Sequence, residues 1–194
     1  RKKSLYMSGG IALLVLVLGI WGGWKYLQNE SINQANLYHL ARAKLNNPPL
    51  SSEQRLSEGV AALQEFVKSA SGSSLVVLAM MESGEVYARQ SKIDESIAVF
   101  QEVIAHPEAI PFLKNSARLS LASLFEQKKH WIEAEMMLES INIAAWDDLR
   151  WRALARIAIT KGEFDKAKNL LEQLLEKEPD SFFRQETETL LLTL

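Results

Sequence analysis

A pattern of small and large residues recurs three times along this chain. Gly84-x2-Tyr87-x8-Ser96-x3-Phe100 returns as Ala122-x2-Phe125-x8-Ala134-x3-Leu138, and again as Ala155-x2-Ala158-x8-Ala167-x3-Leu171, displaced by 38 and then by 33 residues. Self-similarity at such a period marks a fold built by stacking one supersecondary unit, which cannot bury its apolar side alone. Within each copy apolar residues recur at three and four, with no sustained alternation, so the unit is predicted to be two antiparallel helices. Gly84, Ala122 and Ala155 on the first helix, and Ser96, Ala134 and Ala167 on the second, let the backbones approach, while the large residues fill the space beside them.

The breaks agree with this reading. Asn46-Asn47-Pro48-Pro49 stops one helix, Ser71-Gly72-Ser73-Ser74 another, and His106-Pro107 followed by Pro111 a third, because proline cannot continue a helix and glycine suits its end. The spacing resembles the tetratricopeptide repeat family. In WRALARIAITKGEFDKAKNLLEQLLEKEP the positions of the family pattern hold Trp151, Leu154, Ala155, Gly162, Phe164, Ala167 and Pro179. The second copy keeps Trp131 in the place of Phe164 but has Lys129 where the turn usually has glycine; the first has Ser91 there, and Pro107 one position early. A further, divergent pair precedes them, Ser31 to Asn46 with Ser52 to Ala70, in which Ala62 and Phe66 repeat the small-then-large step. After Pro179, Asp180 or Ser181 is expected to cap a last helix whose buried side is Phe182, Phe183 and Leu190 to Leu194, closing the stack.

Before the repeats, Leu5 to Trp24 is an uncharged run that follows Arg1-Lys2-Lys3. Twenty residues of helix span about 30 Å, the thickness of a bilayer's hydrocarbon core. The leading cations put the N-terminus in the cytoplasm and the rest of the chain outside, and Tyr6, Trp21, Trp24 and Tyr26 sit where aromatic rings mark the two interfaces. A cleavable signal peptide is the alternative, but Trp21-Gly22-Gly23-Trp24 offers bulky rings where cleavage needs small side chains. Arg1 is not an initiator, so upstream cytoplasmic residues are expected. Gly19 and Gly23 form a G-x-x-x-G pair that lets a second membrane helix approach, although glycine is common in such helices in any case. From Trp24 to Asn46 there is neither Gly nor Pro, so the membrane helix is expected to continue unbroken into the first soluble one as a rigid stalk.

Four of the 22 cations flank that span, which leaves 18 against 24 acids and a net charge of −6 in the remainder. Nucleic-acid binding rests on clustered Lys and Arg and is not expected here. The chain has no cysteine, which removes disulfides, thiolate nucleophiles and Cys-ligated zinc. His39, His106 and His130 are isolated, without metal-ligand spacing, and no phosphate-cradling or nucleophile-elbow motif occurs. No catalytic residue, metal or cofactor is therefore proposed from the sequence.

The arrangement of anchor, stalk and repeats resembles the YfgM family of membrane-anchored tetratricopeptide proteins. The resemblance runs from Gly19-Ile-Trp-Gly22-Gly23-Trp24-Lys25-Tyr26 through Ala35-Asn36-Leu37-Tyr38 and Asp148-Leu149-Arg150 to Lys161-Gly162-Glu163. It implies an ancillary subunit on the periplasmic side of the SecYEG translocon of a bacterial inner membrane, working with the anchored chaperone PpiD on emerging proteins. The expected fold is all-α, one transmembrane helix leading into a right-handed superhelix of helix pairs with a C-terminal capping helix. Its divisions are a cytoplasmic flank (1–4), an anchor (5–27), the stalk with the divergent pair (28–74), three repeats (75–180) and a cap (181–194).

Stacked pairs curve so that the first helix of each lines a concave face. That face is expected to present Leu78, Met81, Glu85 and Arg89 from the first repeat, Leu119, Ser123 and Glu126 from the second, and Leu149, Arg152 and Arg156 from the third. Apolar groups with charges of both signs suit peptides or helices of protein partners, and some of these residues will instead pack against the next repeat. Trp146 and Trp151 bracket Asp147-Asp148; packing is the expectation for both, an exposed anchor for a partner the alternative. Three functions remain open on the sequence: an export adaptor, a structural subunit of another large membrane complex, and an enzyme, for which no constellation argues.

Overall fold

The computed structural model describes residues 24–25, 27–47, 51–70 and 73–194. All regular structure among them is helical. The chain divides into two compact units, Arg1–Ala79 and Met80–Leu194, with the boundary inside a helix.

In the first unit, residues 27–43 form α1, and Lys44–Asn46 tighten into a 3-10 turn. Gln28 to Ile32 is helical throughout, as the stalk requires. The anchor expected over Leu5 to Trp24 lies, but for Trp24, outside the described residues, as do Gly19 and Gly23; among the described residues no helix is long and apolar enough to cross a membrane. Helix α2 (Ser52–Ser69) starts on a reciprocal cap: the Ser51 hydroxyl accepts from the Gln54 N–H at 3.3 Å, and the Gln54 side chain accepts from the Ser51 N–H at 3.1 Å. Each satisfies a donor the first turn leaves orphaned. The Phe66 ring meets the Tyr38 ring at 5.7 Å, and both side chains are buried beside Ala62 and Leu63. At Gly59 a Cβ would run into the Leu45 side chain, so the absence of one lets the end of the first helical stretch close on α2.

Helix α3 (Ser74–Arg89) carries the chain across the boundary. In the second unit the small positions of the repeat are where the helices touch. The Phe100 ring of α4 (Ile93–Ala105) lies over Gly84, and the Ser96 hydroxyl donates to the Gly84 carbonyl at 2.7 Å. Helices α5 (Pro111–Gln127) and α6 (Trp131–Glu139) pair through Ala122, Ala134 and Leu138. Helices α7 (Asp147–Lys161) and α8 (Phe164–Lys177) bury Ala155, Ala158, Ala167 and Leu171. Ile141, Ala153, Leu154 and Ile157 join the α5–α6 cluster to α7, so one core passes from pair to pair. Burying a side chain such as Phe100 or Leu138 contributes about 1.5–3 kcal/mol.

The turns inside the three pairs share one bonding pattern. The N–H groups of Lys92, His130 and Glu163 donate to the carbonyls of Tyr87, Phe125 and Ala158 at 2.9, 2.9 and 2.8 Å. This is the bond of a helix-ending motif that needs a left-handed residue just before the donor. That residue is Ser91 (φ 60°), Lys129 (φ 60°) and Gly162 (φ 79°). The two departures from the family's glycine therefore keep its backbone conformation and bear the strain of it.

The last helix corrects two expectations. It begins at Arg184 as α9 (Arg184–Leu191), later than a cap at Asp180 or Ser181 would place it, and has no side-chain cap. The Ser181 hydroxyl is used otherwise: it accepts from the Phe183 N–H at 3.2 Å and donates to Asp148 at 2.9 Å. Nor is the expected apolar stripe buried. Phe182 is 93% and Leu192 88% exposed, Leu194 is exposed too, and the helix is seated by Thr187 with Phe183 and Leu190 half-buried.

Candidate interaction face

Of the residues expected on the face of the first helices, α5 and α7 supply six. Leu119, Ser123 and Glu126 follow one another at helical spacing on α5, as do Leu149, Arg152 and Arg156 on α7. Ser123 is exposed, and Leu119 and Leu149 are half-buried, Leu119 with part of its surface against the core cluster. Met81, expected to lend this face its adaptability, is buried at 9%, because the turn of α3 that carries it faces the interior together with Met80. Leu78 belongs to the first unit and is 36% exposed.

The charged members do not stand alone. Arg156 donates to Glu126 through Nη2 at 2.7 Å and Nε at 3.0 Å, which ties α7 to α5. Arg152 donates to Glu186 of α9 at 2.6 Å, with its guanidinium 4.5 Å from the centre of the Phe183 ring. Glu85 and Arg89, one turn apart on α3, are 3.9 Å from each other. Each charge expected on this face in the second unit thus has a partner of opposite sign within the chain. The hydrogen bonds from Arg156 to Glu126 raise the guanidinium's pKa above its ordinary value against the opposing effect of burial.

Two residues of the face are not singled out by the sequence. Glu186 is hidden by the reading of α9 as an apolar cap. Phe112, 54% exposed, lies seven residues before Leu119 on the same side of α5, and its ring meets that of Trp146 edge-on at 5.2 Å. The i, i+7 spacing from Leu119 is the available signal. Trp146 itself is half-buried against the α5–α7 core cluster and Trp151 is buried at 7%, so both serve packing. The acids between them are similarly engaged: Asp147 pairs with Arg150 at 2.7 Å and Asp148 accepts from Ser181.

A second ionic network joins the α5–α6 and α7–α8 pairs away from these residues. The Glu135 carboxylate on α6 accepts from Lys161 at 3.3 Å and Lys166 at 2.7 Å, and Lys161 also reaches Glu163 at 2.7 Å. Burial pushes the Glu135 carboxyl up, but the bonds from Lys166 and Lys161 outweigh it and hold the pKa below 4.5. Lys161 is raised above 10.5, first by its bond to Glu163. Among the described residues no group of His, Asp and Glu could hold a metal ion.

Comparison with known proteins accords with the helix pairs. A family model described as a tetratricopeptide repeat-like domain matches residues 3–151, and one described as a tetratricopeptide repeat matches residues 151–181. No curated protein matches the sequence. Among solved structures, a Podosopora anserina chain described as a putative kinesin light chain with nearly identical TPR-like repeats is similar at a TM-score of 0.55 and 18% identity, over 79% of this chain and 78% of that one. A variant of the same protein with one residue substituted gives the same TM-score and identity over 79% of this chain and 77% of that one. At this identity the likeness is one of fold. Repeats of this kind suggest a scaffold for protein–protein interaction, and the fold is typical of non-enzymatic proteins.

Proposed function

The chain belongs to the tetratricopeptide repeat-like family, and from that premise we propose that it is a membrane-anchored periplasmic scaffold. Leu5 to Trp24 is the anchor, the N-terminus is cytoplasmic, and α1 is the stalk that carries the repeats away from the bilayer. The observation that carries the placement is the uncharged run after three cations, followed by helix through residues 27–43. The resemblance to the YfgM family supports the finer assignment: an ancillary subunit of the SecYEG translocon that brings a PpiD-like chaperone or exported clients to the machine. The protein performs no chemistry of its own in this reading and works by holding a binding face beside the membrane.

Gentle detergent extraction of the tagged chain, followed by identification of what co-purifies, tests the assignment. Translocon subunits and a PpiD-like chaperone are expected. Recovery of a stable, unrelated membrane assembly instead would make the chain a structural subunit of that assembly, bound through its anchor and its repeats.

A further inference from the structure

Helices α5 and α7 run side by side and in the same direction, because they meet at two levels: Phe112 with Trp146 near their starts and Glu126 with Arg156 near their ends. On α5 the two levels are fourteen residues apart, about 21 Å of helix at 1.5 Å per residue. The strip between them carries Leu119, Ser123 and Leu149, and it ends at an exposed aromatic ring on one side and a closed ion pair on the other.

The charges of the strip are already paired. Glu126 is 16% exposed and holds Arg156 by two bonds, and Arg152 is held by Glu186. An incoming carboxylate could take the Nε–Nη2 edge of Arg156 only by displacing Glu126, exchanging one pair of charge-assisted bonds for another and leaving a largely covered carboxylate without its partner, and at Arg152 it would meet a guanidinium whose charge the exposed Glu186 already offsets. An incoming cation would meet carboxylates already neutralised. A segment without charge incurs no such cost, and it gains by covering the Phe112 ring, since large aromatic groups in well-packed patches dominate binding energy. We propose that this strip selects an uncharged protein segment whose contacting side chains are apolar, with an aliphatic or aromatic group seated against Phe112, and that Arg152 and Arg156 are struts between helices and do not anchor the ligand. This rests on the reading of the first-helix face as the partner-binding surface.

The test uses the full chain in lipid nanodiscs and three fluorescent peptides of equal length, one of Leu, Phe, Ser and Gln, one rich in Asp and Glu, and one rich in Lys and Arg, followed by anisotropy. The neutral peptide is expected to bind best, with an affinity that changes less than about twofold as salt is raised, since the peptide carries no charge whose attraction to the face could be screened. Phe112→Ser should weaken it about tenfold. Ser123→Glu, which adds an unmatched charge at an exposed position, should weaken it too, while Arg152→Gln with Arg156→Gln should leave it within about threefold, given unchanged helicity. Preference for the acidic peptide, with an affinity that falls steeply with salt and disappears in the double arginine variant, would overturn the proposal. So would indifference of the neutral peptide to both Phe112→Ser and Ser123→Glu, or no binding of any peptide. If no peptide binds and the chain still captures its membrane partners, this inference fails and the scaffold reading stands.

Discussion

The guanidinium of Arg156 and the carboxylate of Glu126 form a two-bond pair, at 2.7 and 3.0 Å, that joins the first helices of two successive repeats. The pair is 30 residues apart in sequence, so it exists only when the repeats are stacked. The bonds of Arg152 to Glu186 and of Lys161 and Lys166 to Glu135 have the same character. The interfaces between repeats are thus apolar at their centre and ionic at their margins.

A double-mutant cycle on Arg156→Gln and Glu126→Gln should return a coupling of about 0.5–1 kcal/mol by urea unfolding, falling at high salt. The bidentate geometry favours the upper end, and the 54% exposure of the Arg156 side chain keeps it from being larger.

Gly84→Ala should destabilise the protein by about 1–3 kcal/mol, the usual cost of overpacking a core. The added Cβ would stand 2.8 Å from the Phe100 ring, which is 1% exposed and has nowhere to move. Combining it with Phe100→Leu should cost less than the sum of the two changes, as measured by thermal or urea unfolding.

Ser91→Gly and Lys129→Gly should each raise stability, by about 0.5–1 kcal/mol, because a side chain in the left-handed region is strained and the glycine's extra freedom when unfolded offsets only part of the gain. Gly162→Ala should do the reverse by a similar amount. Its φ is 79° and a Cβ there would touch nothing, so the loss would be one of backbone conformation alone.

The Glu135 network makes stability depend on pH at both ends. The carboxyl's folded pKa lies below 4.5, so its contribution is complete above that value and is lost as pH falls through the lowered one. The Lys161 ammonium's folded pKa lies above 10.5, so its contribution is complete below that value and is lost as pH rises through the raised one. The stability difference between the natural chain and Glu135→Gln, followed by urea unfolding against pH, should hold level near neutrality and shrink toward acid. A difference that grows as pH falls below 4.5 would contradict the assignment.

The fold is legible where one residue type has one physical use. Gly84, Ala122 and Ala155 mark the helix contacts because only small side chains permit close backbones, and the prolines and glycines mark the breaks. The left-handed turns at Ser91 and Lys129 are less visible, since neither residue is chosen for that conformation and only alignment with Gly162 exposes it. The end of the chain misleads because Phe182, Leu192 and Leu194 look like a buried stripe by composition, whereas Thr187 occupies the covered position. On the candidate face the residues can be found from the sequence but not their pairing: Arg152 and Glu186 are 34 residues apart, and no local spacing links them. Met81 is lost from the face because helical periodicity does not say which of two apolar sides a neighbour covers.

The most direct test of the central claim, that the face of the first helices engages protein partners, is photocrosslinking in cells from two exposed positions, Ser123 on α5 and Lys168 on α8. A photoreactive amino acid at Ser123 should give discrete adducts with other proteins, and one at Lys168 should give few or none. Adducts from Lys168 with none from Ser123 would place the working surface on the other side of the repeats and contradict the account.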